Sequence, residues 1–359
     1  MLMKICWMSD WNRWGNGKGY TVHNTMMRTW SERIGVEITD LPTEADVVLD
    51  IVVPTGYKPV PGKFNILFTM YEMATLPDEW IEPVNKADLL IVPCEQNKRL
   101  FRQYTKRPIE VCKEGIDPSE YEFRERDPGR MVESRRGVKY REMPENRHFN
   151  FLWVGASNPR KGYEIVTMAW EEWLKREPQE VVQNTRLIMK STKETEAERV
   201  GSTFGCIIDL RKLPLEDLIN LYYESHAFLL PSMGEGWGLT LCEAQATGLP
   251  CIYTPWSGPV DFMRPEWSYP AKFKMRPMRA LRQTDDGPKP YHTGIVAQAD
   301  PKSVYRRMAQ IYYGYETALA KGKRGSEWIR GNFTWELAAR RLAEIIGKYT
   351  GQTLEASAA

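Results

Sequence analysis

The chain has 359 residues, of which 49 are basic and 47 are acidic, so its formal charge is only +2. This length suffices for two ordinary domains, and so small a net charge excludes a global field that would draw the protein to nucleic acid or to a membrane. Its six cysteines are scattered without a C-x-x-C pair, which is typical of small core residues in a reducing compartment. No window approaches the roughly 18 apolar residues of a membrane span, and no signal peptide is recognisable, so we expect a cytoplasmic protein.

The first half of the chain alternates short apolar runs with helical stretches. A helix is expected from about residue 20 to 34, and strands are predicted at 4–8, 36–39, 47–53, 65–69, 87–92 and 109–112. Such alternation predicts an α/β domain with a parallel sheet that is covered on both faces.

A glycine-rich loop with Gly15, Gly17 and Gly19 separates the first strand from the first helix. It could hold a phosphate or admit a second substrate, but its glycine spacing is not the dinucleotide-binding fingerprint. His23 follows on the helix and is either a pocket residue or an ordinary helix histidine.

Residues 126–147 are polar and punctuated by glycine and proline, which favours a solvated linker, with or without a short helix. A second domain then opens with a strand at 149–154. Arg160 and Lys161 stand in the loop after it, where a forked guanidinium and a mobile ammonium could grip a diphosphate. The alternative is an ordinary basic surface pair. Lys190 ends a strand predicted at 186–189 and could reach a ligand at the same sheet edge.

The most informative stretch runs from residue 227 to 260, where a strand, a glycine-bearing loop, a helix and a second strand follow one another. Glu235 and Glu243 lie eight positions apart on either side of the Gly-Trp-Gly loop. The first amides of a helix lack partners and carry partial positive charge, so they can bind a diphosphate. Two carboxylates beside it could accept hydrogen bonds from a sugar and a ribose. The pattern therefore indicates a nucleotide-sugar site, against the alternative of chance acidic residues on a strand-loop-helix unit.

The segment PSMGEGWGLTLCEAQATGLPCI resembles the donor-binding signature of retaining GT-B glycosyltransferases, in particular glycosyltransferase family 4. The resemblance implies two Rossmann-like domains whose parallel sheets face each other across a cleft, with the last helix crossing back to the N-terminal domain. The implied boundaries are 1–125 plus 335–350 for the acceptor-side domain, 148–334 for the donor domain, and a disordered tail at 351–359.

The resemblance also assigns roles to particular residues. Glu235 would hold hydroxyls of the transferred sugar, Glu243 the ribose, and Lys161 with Arg160 the diphosphate. The backbone at Leu210 and Arg211 would receive the base, and the loop with Gly15, Gly17, Gly19 and His23 would lie over the cleft. The amides that would bind phosphates and sugar are those of Gly236, Trp237, Gly238 and Leu239.

Two positions depart from the family pattern. Many members carry a histidine where this chain reads Thr69-Met70-Tyr71-Glu72, so either Glu72 faces the cleft in its place or it is a surface carboxylate. A second arginine in the first loop of the donor domain is replaced by Ala156. One phosphate contact is then lost or is supplied by Arg160.

The segment 271–283 carries five basic residues and no acidic one, and we interpret it as an insertion. It could contact an acidic acceptor, a membrane surface or DNA, or it could be a solvated loop.

Together these patterns predict a glycosyltransferase that moves a sugar from a nucleoside diphosphate sugar, with UDP or GDP as the expected carrier, to an acceptor hydroxyl. The resemblance implies retention of the anomeric configuration, and the lack of an Asp-x-Asp pair predicts no metal and no further cofactor. The acceptor is left open among a glycan, a lipid, a small molecule and, least favoured, DNA. The alternatives are a nucleic-acid-binding protein that uses 271–283, a sugar phosphorylase or epimerase, and an inactive nucleotide-sugar sensor.

Overall fold

The computed structural model describes residues 3–8, 19–156, 158–191, 204–284 and 287–353; for residues 146, 279–284 and 287–293 it describes the backbone alone. The chain divides into two compact units. The first comprises Met1–Asp117 together with Asn332–Ala359, and the second comprises Pro118–Gly331.

The first unit is built on a parallel sheet of six strands in the order β2-β1-β3-β4-β5-β6. Its central strands are buried on both faces, as their unbroken apolar runs predict. The strands are β1 (Lys4–Trp7), β2 (Glu37–Thr39), β3 (Val47–Ile51), β4 (Phe64–Phe68), β5 (Leu89–Val92) and β6 (Ile109–Val111). The helices between them are α1 (Gly19–Arg33), α2 (Asp78–Lys86) and α3 (Glu95–Phe101).

The second unit begins with an antiparallel pair, β7 (Arg130–Glu133) and β8 (Lys139–Glu142). This corrects the expectation of a solvated linker at 126–147. Arg141 on β8 is completely buried, and its guanidinium donates to the carbonyl of Tyr312 at 3.0 Å and to the carboxylate of Glu316 at 3.0 Å. The expectation was wrong because the partners of Arg141 come from helices about 170 residues further along the chain.

A second parallel sheet of six strands follows, in the order β11-β10-β9-β12-β13-β14. Its strands are β9 (Phe149–Val154), β10 (Thr185–Lys190), β11 (Cys206–Asp209), β12 (Ala227–Leu230), β13 (Cys251–Tyr253) and β14 (Tyr269–Pro270). Helices pack around it: α4 (Tyr163–Arg176), α5 (Gln179–Gln183), α6 (Leu215–Tyr223), α7 (Leu239–Ala246), α8 (Pro301–Tyr313) and α9 (Tyr315–Asn332). The large aromatic side chains Phe149, Trp170 and Trp173 are fully buried in this core.

The basic segment 271–283 is not a solvated loop, and its interpretation as an insertion stays a prediction. It forms most of β15 (Phe273–Thr284), which pairs antiparallel with β16 (Gly287–Ala299) along its whole length. The predicted short strand at 294–297 is therefore the end of a strand of 13 residues. The strand escaped prediction because its basic residues do not alternate regularly with apolar ones, and residues 274–277 are all exposed.

The chain ends on the first unit with α10 (Trp335–Thr350), whose buried face carries Trp335, Leu342 and Ile346. The expected return of the last helix to the N-terminal part of the chain is confirmed. Thr334 caps the helix, because its side chain accepts from the amide of Leu337. The tail was expected to be disordered from residue 351, but Thr353 accepts a hydrogen bond at 2.9 Å from the amide of Met3. Residues 354–359 lie outside the described ranges.

None of the helices within the described ranges combines the length and the hydrophobicity that crossing a bilayer requires.

Candidate functional site

The second sheet has a topological switch point between β9 and β12. If β9 is counted as strand 1, the strands of this sheet lie in the order 3-2-1-4-5-6. The connections that follow β9 and β12 therefore lead to opposite sides of the sheet. These two strands are direct neighbours, with Ala227 paired to Phe151. Ligands of open α/β sheets bind outside the carboxyl ends of the strands at such a point. The two loops that start there are 155–162, after β9, and 231–238, after β12.

Lys161 and Glu235, one from each loop, form an ion pair at this switch point. The ammonium of Lys161 lies 2.9 Å from Oε1 and 2.7 Å from Oε2 of Glu235. The carboxylate is only 4 % exposed. Burial by itself raises the pKa of Glu235, but the positive charges of Lys161 and Arg160 outweigh this effect, and the pKa is lowered. Glu235 is therefore held ionised.

Arg160 holds the same two loops together. Its guanidinium donates to the carbonyl of Gly234 at 2.6 Å and lies 3.5 Å from the carboxylate of Glu235. Its carbonyl accepts from the amide of Met233 at 2.7 Å. Behind the pair, the indole of Trp153 on β9 donates to the carbonyl of Lys161 at 3.1 Å. The two cations predicted from the loop thus converge on the first glutamate of the motif.

The backbone of the motif loop is held from behind by Ser257 and Gly258. The carbonyl of Glu235 accepts from the Ser257 hydroxyl at 2.6 Å and from the Gly258 amide at 3.1 Å. Ser257 has φ 62°, a strained conformation for a residue other than glycine. The loop ends at Gly238, whose φ of 109° leads directly into α7 with Leu239 as its first residue.

The side chain of Trp237 belongs to the core of the second unit. Its side chain is 1 % exposed and packs on Phe262 with ring centroids 4.8 Å apart. The indole therefore packs away from a ligand, and the prediction for Trp237, as for Gly236, Gly238 and Leu239, concerns the backbone amide.

Glu243 lies one turn into α7 and is bound by two tyrosines that the sequence analysis did not identify. The hydroxyl of Tyr222 donates to its carboxylate at 2.9 Å, and Tyr121 forms a second hydrogen bond to it. Burial raises the pKa of Glu243 to about 7, although both tyrosines lower it. The charge of Lys161 also lowers the pKa of Glu243, which places both glutamates within the field of one cation.

Lys190 is directed into the loop backbone, in contrast to the expectation that it reaches a ligand. It is 4 % exposed, and its ammonium donates to the carbonyls of Ser191 at 3.1 Å and Asp209 at 3.3 Å, and to that of Arg211. Burial lowers its pKa. Lys190 therefore fixes the loop after β11. Leu210 opens this loop, and the Arg211 guanidinium binds Asp209 at 2.8 Å and is well exposed.

Of the site residues predicted in the first unit, Gly19, His23 and Glu72 lie within the described ranges. Gly15 and Gly17 are outside the described residues, and Gly19 is the exposed first residue of α1. His23 is completely buried, with Nδ1 2.9 Å from Glu114 and its ring edge on Phe68. It is a core histidine, which agrees with the second of the two alternatives given above, an ordinary helix histidine.

Glu72 lies in the segment that follows β4, which Asn97 fixes. The Asn97 amide group accepts from the backbone N–H of Tyr71 at 2.8 Å and donates to the Tyr71 carbonyl at 2.6 Å. Glu72 itself is partly exposed. Its substitution for the family's histidine stays a prediction.

The two tyrosines at Glu243 differ in how far the sequence could have revealed them. Tyr222 stands three residues after Ile219 on the apolar face of α6, so the burial of its side chain was predictable from the sequence. Tyr121 comes from the segment after the first unit, more than 100 residues from Glu243, and carries no local signal. Across the described residues, no group of three or more His, Cys, Asp or Glu side chains is arranged to hold a metal ion.

Comparison with known proteins finds a family match over the residues that form this candidate site. Residues 148–272 match the family model described as Glycosyl transferases group 1. D-inositol 3-phosphate glycosyltransferase of Corynebacterium efficiens is 27 % identical over 283 residues, which are 74 % of this chain and 58 % of that protein. The chain therefore spans less than two thirds of the length of this relative.

Solved structures are similar in fold at low sequence identity. HepE of Anabaena, in complex with UDP-glucose, gives a TM-score of 0.66 at 11 % identity over 96 % of this chain and 100 % of that one. Sucrose-phosphate synthase of Thermosynechococcus elongatus gives 0.61 at 13 % identity over 92 % of this chain and 78 % of that one. The two sheets and these likenesses define a two-domain Rossmann-like protein of the GT-B type. The family model matches within its second unit, so the resemblance to GT-B glycosyltransferases that the motif indicated is confirmed.

Proposed function

We propose that the protein transfers a sugar from a nucleoside diphosphate sugar to an acceptor hydroxyl. The observation that carries this proposal is the convergence of Lys161, Arg160 and Glu235 at the switch point, directly before the N-terminus of α7. The Glycosyl transferases group 1 match over the same residues supports it.

In this proposal the diphosphate binds the amides that precede and open α7, where the helix dipole adds positive charge. Two of the three donors of the Lys161 ammonium are used by Glu235, and the third is available for a phosphate oxygen. As the sugar leaves, charge builds up on the diphosphate, and preorganised donors stabilise it without reorganising. The ionised Glu235 accepts hydrogen bonds from the hydroxyls of the sugar, and Glu243 accepts those of the ribose.

We further propose that the reaction proceeds with retention and without a metal ion. The motif resemblance supports retention, and the two cations beside the amides provide the charge that a metal would otherwise supply.

UDP is the first carrier to test, since the similar HepE structure contains UDP-glucose, and GDP is the second. Because the named relatives are D-inositol 3-phosphate glycosyltransferases, a phosphate-bearing small molecule joins glycans and lipids as a candidate acceptor. The alternative of a nucleic-acid-binding protein has no support in the comparisons.

The test is binding and turnover with a panel of uridine, guanosine and adenosine diphosphate sugars, read as a rise in melting temperature and as release of the nucleoside diphosphate with simple hydroxyl acceptors. Lys161→Ala and Glu235→Ala should each lower kcat by about 100-fold or more, with a smaller change in KM, because the lost interactions strengthen in the transition state. Lys175→Ala on α4, an exposed lysine of the same unit, should leave both constants unchanged.

Lys161→Ala leaves the buried Glu235 without its main cation, which can destabilise the fold by itself. The double variant Lys161→Ala/Glu235→Ala removes that unpaired charge, so it should recover stability without recovering turnover. Turnover near that of the unmodified protein in both single variants would remove the assignment of the site.

A further inference from the structure

A cavity of about 220 Å³ lies within the second unit, at the base of the hairpin formed by β15 and β16. One wall comes from the two loops of the candidate site, through Pro159 and Met233. The opposite wall comes from the hairpin and combines apolar with polar side chains: Arg276, Pro277, Met278, Val296 and Gln298.

The cavity is tied directly to the loops that carry the ion pair. The amide of Ala297 on β16 donates to the carbonyl of Met233 at 3.0 Å, and the amide of Met233 donates to the carbonyl of Arg160 at 2.7 Å. Pro159 and Met233 each stand two residues before a member of the ion pair, and two residues of backbone span at most about 7 Å. A ligand in this cavity would therefore lie beside the donor site.

The apolar part of the lining fits a group about the size of one ring. An enclosed apolar cavity of about 150 Å³ is enough to bind benzene, and the present pocket, which is larger but open to solvent on one side, has room for a single ring. Met278 is 7 % exposed and Met233 is also 7 % exposed, and their thioethers contact aromatic rings favourably.

The polar part of the lining fits an anion. Arg276 is exposed and pairs in register with the buried Val296, so both belong to the same face of the hairpin as Lys274 and Gln298. Within the described part of the chain, no carboxylate forms an ion pair with the guanidinium of Arg276. A guanidinium offers a planar fork of donors to a phosphate or a carboxylate.

We propose that this cavity is a second ligand site, which binds an anion attached to a ring-sized apolar group, such as an aryl or short alkyl phosphate or carboxylate. The apolar group occupies the space between Met233 and Met278, and the anion binds Arg276 at the rim. This site lies beside the diphosphate position at Lys161 but is separate from it.

Calorimetric titration of the full chain with phenyl phosphate tests this proposal, with phenol and inorganic phosphate as partial ligands and benzoate as the carboxylate counterpart. Phenyl phosphate or benzoate should bind at least about tenfold more tightly than phenol or inorganic phosphate, and the tighter of the two identifies the preferred anion. Arg276→Ala should weaken that binding by about tenfold, the usual loss for a hydrogen bond to a charged group. Lys274→Ala, which removes an exposed cation two residues away that does not line the cavity, should change it less than about twofold.

Two further measurements separate this site from the donor site. Lys161→Ala should reduce the affinity for uridine diphosphate and leave phenyl phosphate binding intact, and Arg276→Ala should have the opposite effect. In protein labelled at the methionine methyl groups, the signals of Met233 and Met278 should move with phenyl phosphate. The proposal is overturned if Arg276→Ala leaves the affinity unchanged, if inorganic phosphate binds as tightly as phenyl phosphate, or if only Lys161→Ala abolishes binding.

Discussion

The ammonium of Lys161 and the carboxylate of Glu235 form a largely enclosed ion pair, with side chains 23 % and 5 % exposed. Removing charges from water costs more than a simple pair interaction returns unless further hydrogen bonds compensate. Here compensation comes from Arg160, which approaches the same carboxylate, and from a hydrogen bond that the Ser232 side chain donates to it. A buried carboxylate that several cations and donors hold ionised at a sheet switch point is typical of a binding site rather than of structural packing.

The carboxyl of Glu243 provides a prediction of pH dependence. Its pKa rises from an ordinary value of 4.5 to about 7, mainly through burial. Between these values the folded protein binds more protons than the unfolded chain, so the stability contributed by the protonated group is present below about pH 4.5 and is lost as the pH rises through about 7. Glu243→Gln should therefore raise the melting temperature at pH 8 relative to the unmodified protein, and this advantage should shrink by pH 5.

Calorimetric melting of both proteins at pH 5 and pH 8 measures this difference. The matched control is Glu216→Gln, on the exposed start of α6, which should show no such change. An equal effect of Glu243→Gln at both pH values would contradict the raised pKa.

Local backbone geometry decides how the elements of the site meet. Gly162 has φ 73° and approaches the carbonyl of Pro231 so closely that a side chain would collide with it. This contact joins the loop after β9 to the loop after β12, which is the junction that brings Lys161 to Glu235. Glycine is required here for both its conformation and its size.

Substitution of Gly258 tests whether the backbone position of the loop 231–238 matters for binding. A Cβ atom there would lie 2.5 Å from the carbonyl oxygen of Trp237 and 2.6 Å from that of Gly236, so Gly258→Ala must push the motif loop away. We expect a loss of about 1–3 kcal/mol in the free energy of unfolding and a marked loss of nucleoside diphosphate affinity. Gly331→Ala in α9, where a Cβ would meet nothing within 4 Å, should be neutral or slightly stabilising.

Denaturant titration and calorimetric binding check both glycine variants. Unchanged nucleoside diphosphate affinity in Gly258→Ala would show that the position of the motif loop is not critical for binding.

The two antiparallel hairpins show where element prediction from sequence fails. β15 lacks a regular alternation of apolar and polar residues, and β8 was hidden by polar residues around Arg141. A buried arginine in a polar segment cannot be recognised locally, because one carbonyl and the carboxylate that it binds belong to α8 and α9.

The whole chain consists of two units, each built on its own six-stranded parallel sheet, and the first is completed by the last helix. Ile116, after β6, bridges to Thr334 just before α10, and the Trp335 amide donates to the Ile116 carbonyl at 3.1 Å. Gly115 lies against the backbone of Thr334 with no room for a side chain. The core of the first unit therefore depends on residues that are more than 200 positions from its sheet.

This dependence predicts that Trp335→Ala destabilises the first unit. The side chain is 3 % exposed and packs near His23, so its removal should cost about 3–5 kcal/mol. Amide hydrogen exchange should then accelerate in α1 and β6. Leu337→Ala on the same helix, 44 % exposed, should leave exchange nearly unchanged. Equal protection in both variants would show that α10 is not needed by the first unit.

The sequence by itself determined the two α/β units, the strands of the first parallel sheet and most of those of the second, the motif residues Glu235 and Glu243, and Lys161. It could do so because strand runs, glycine turns and motif spacing are local patterns, and each is set by residues a few positions apart. Only the tertiary structure decided that Lys161 binds Glu235, that Lys190 and Trp237 turn inward, that His23 is a core residue, and that Tyr121 and Tyr222 bind Glu243. The physical reason is that burial and pairing depend on which distant segments pack together, and no local pattern contains that information.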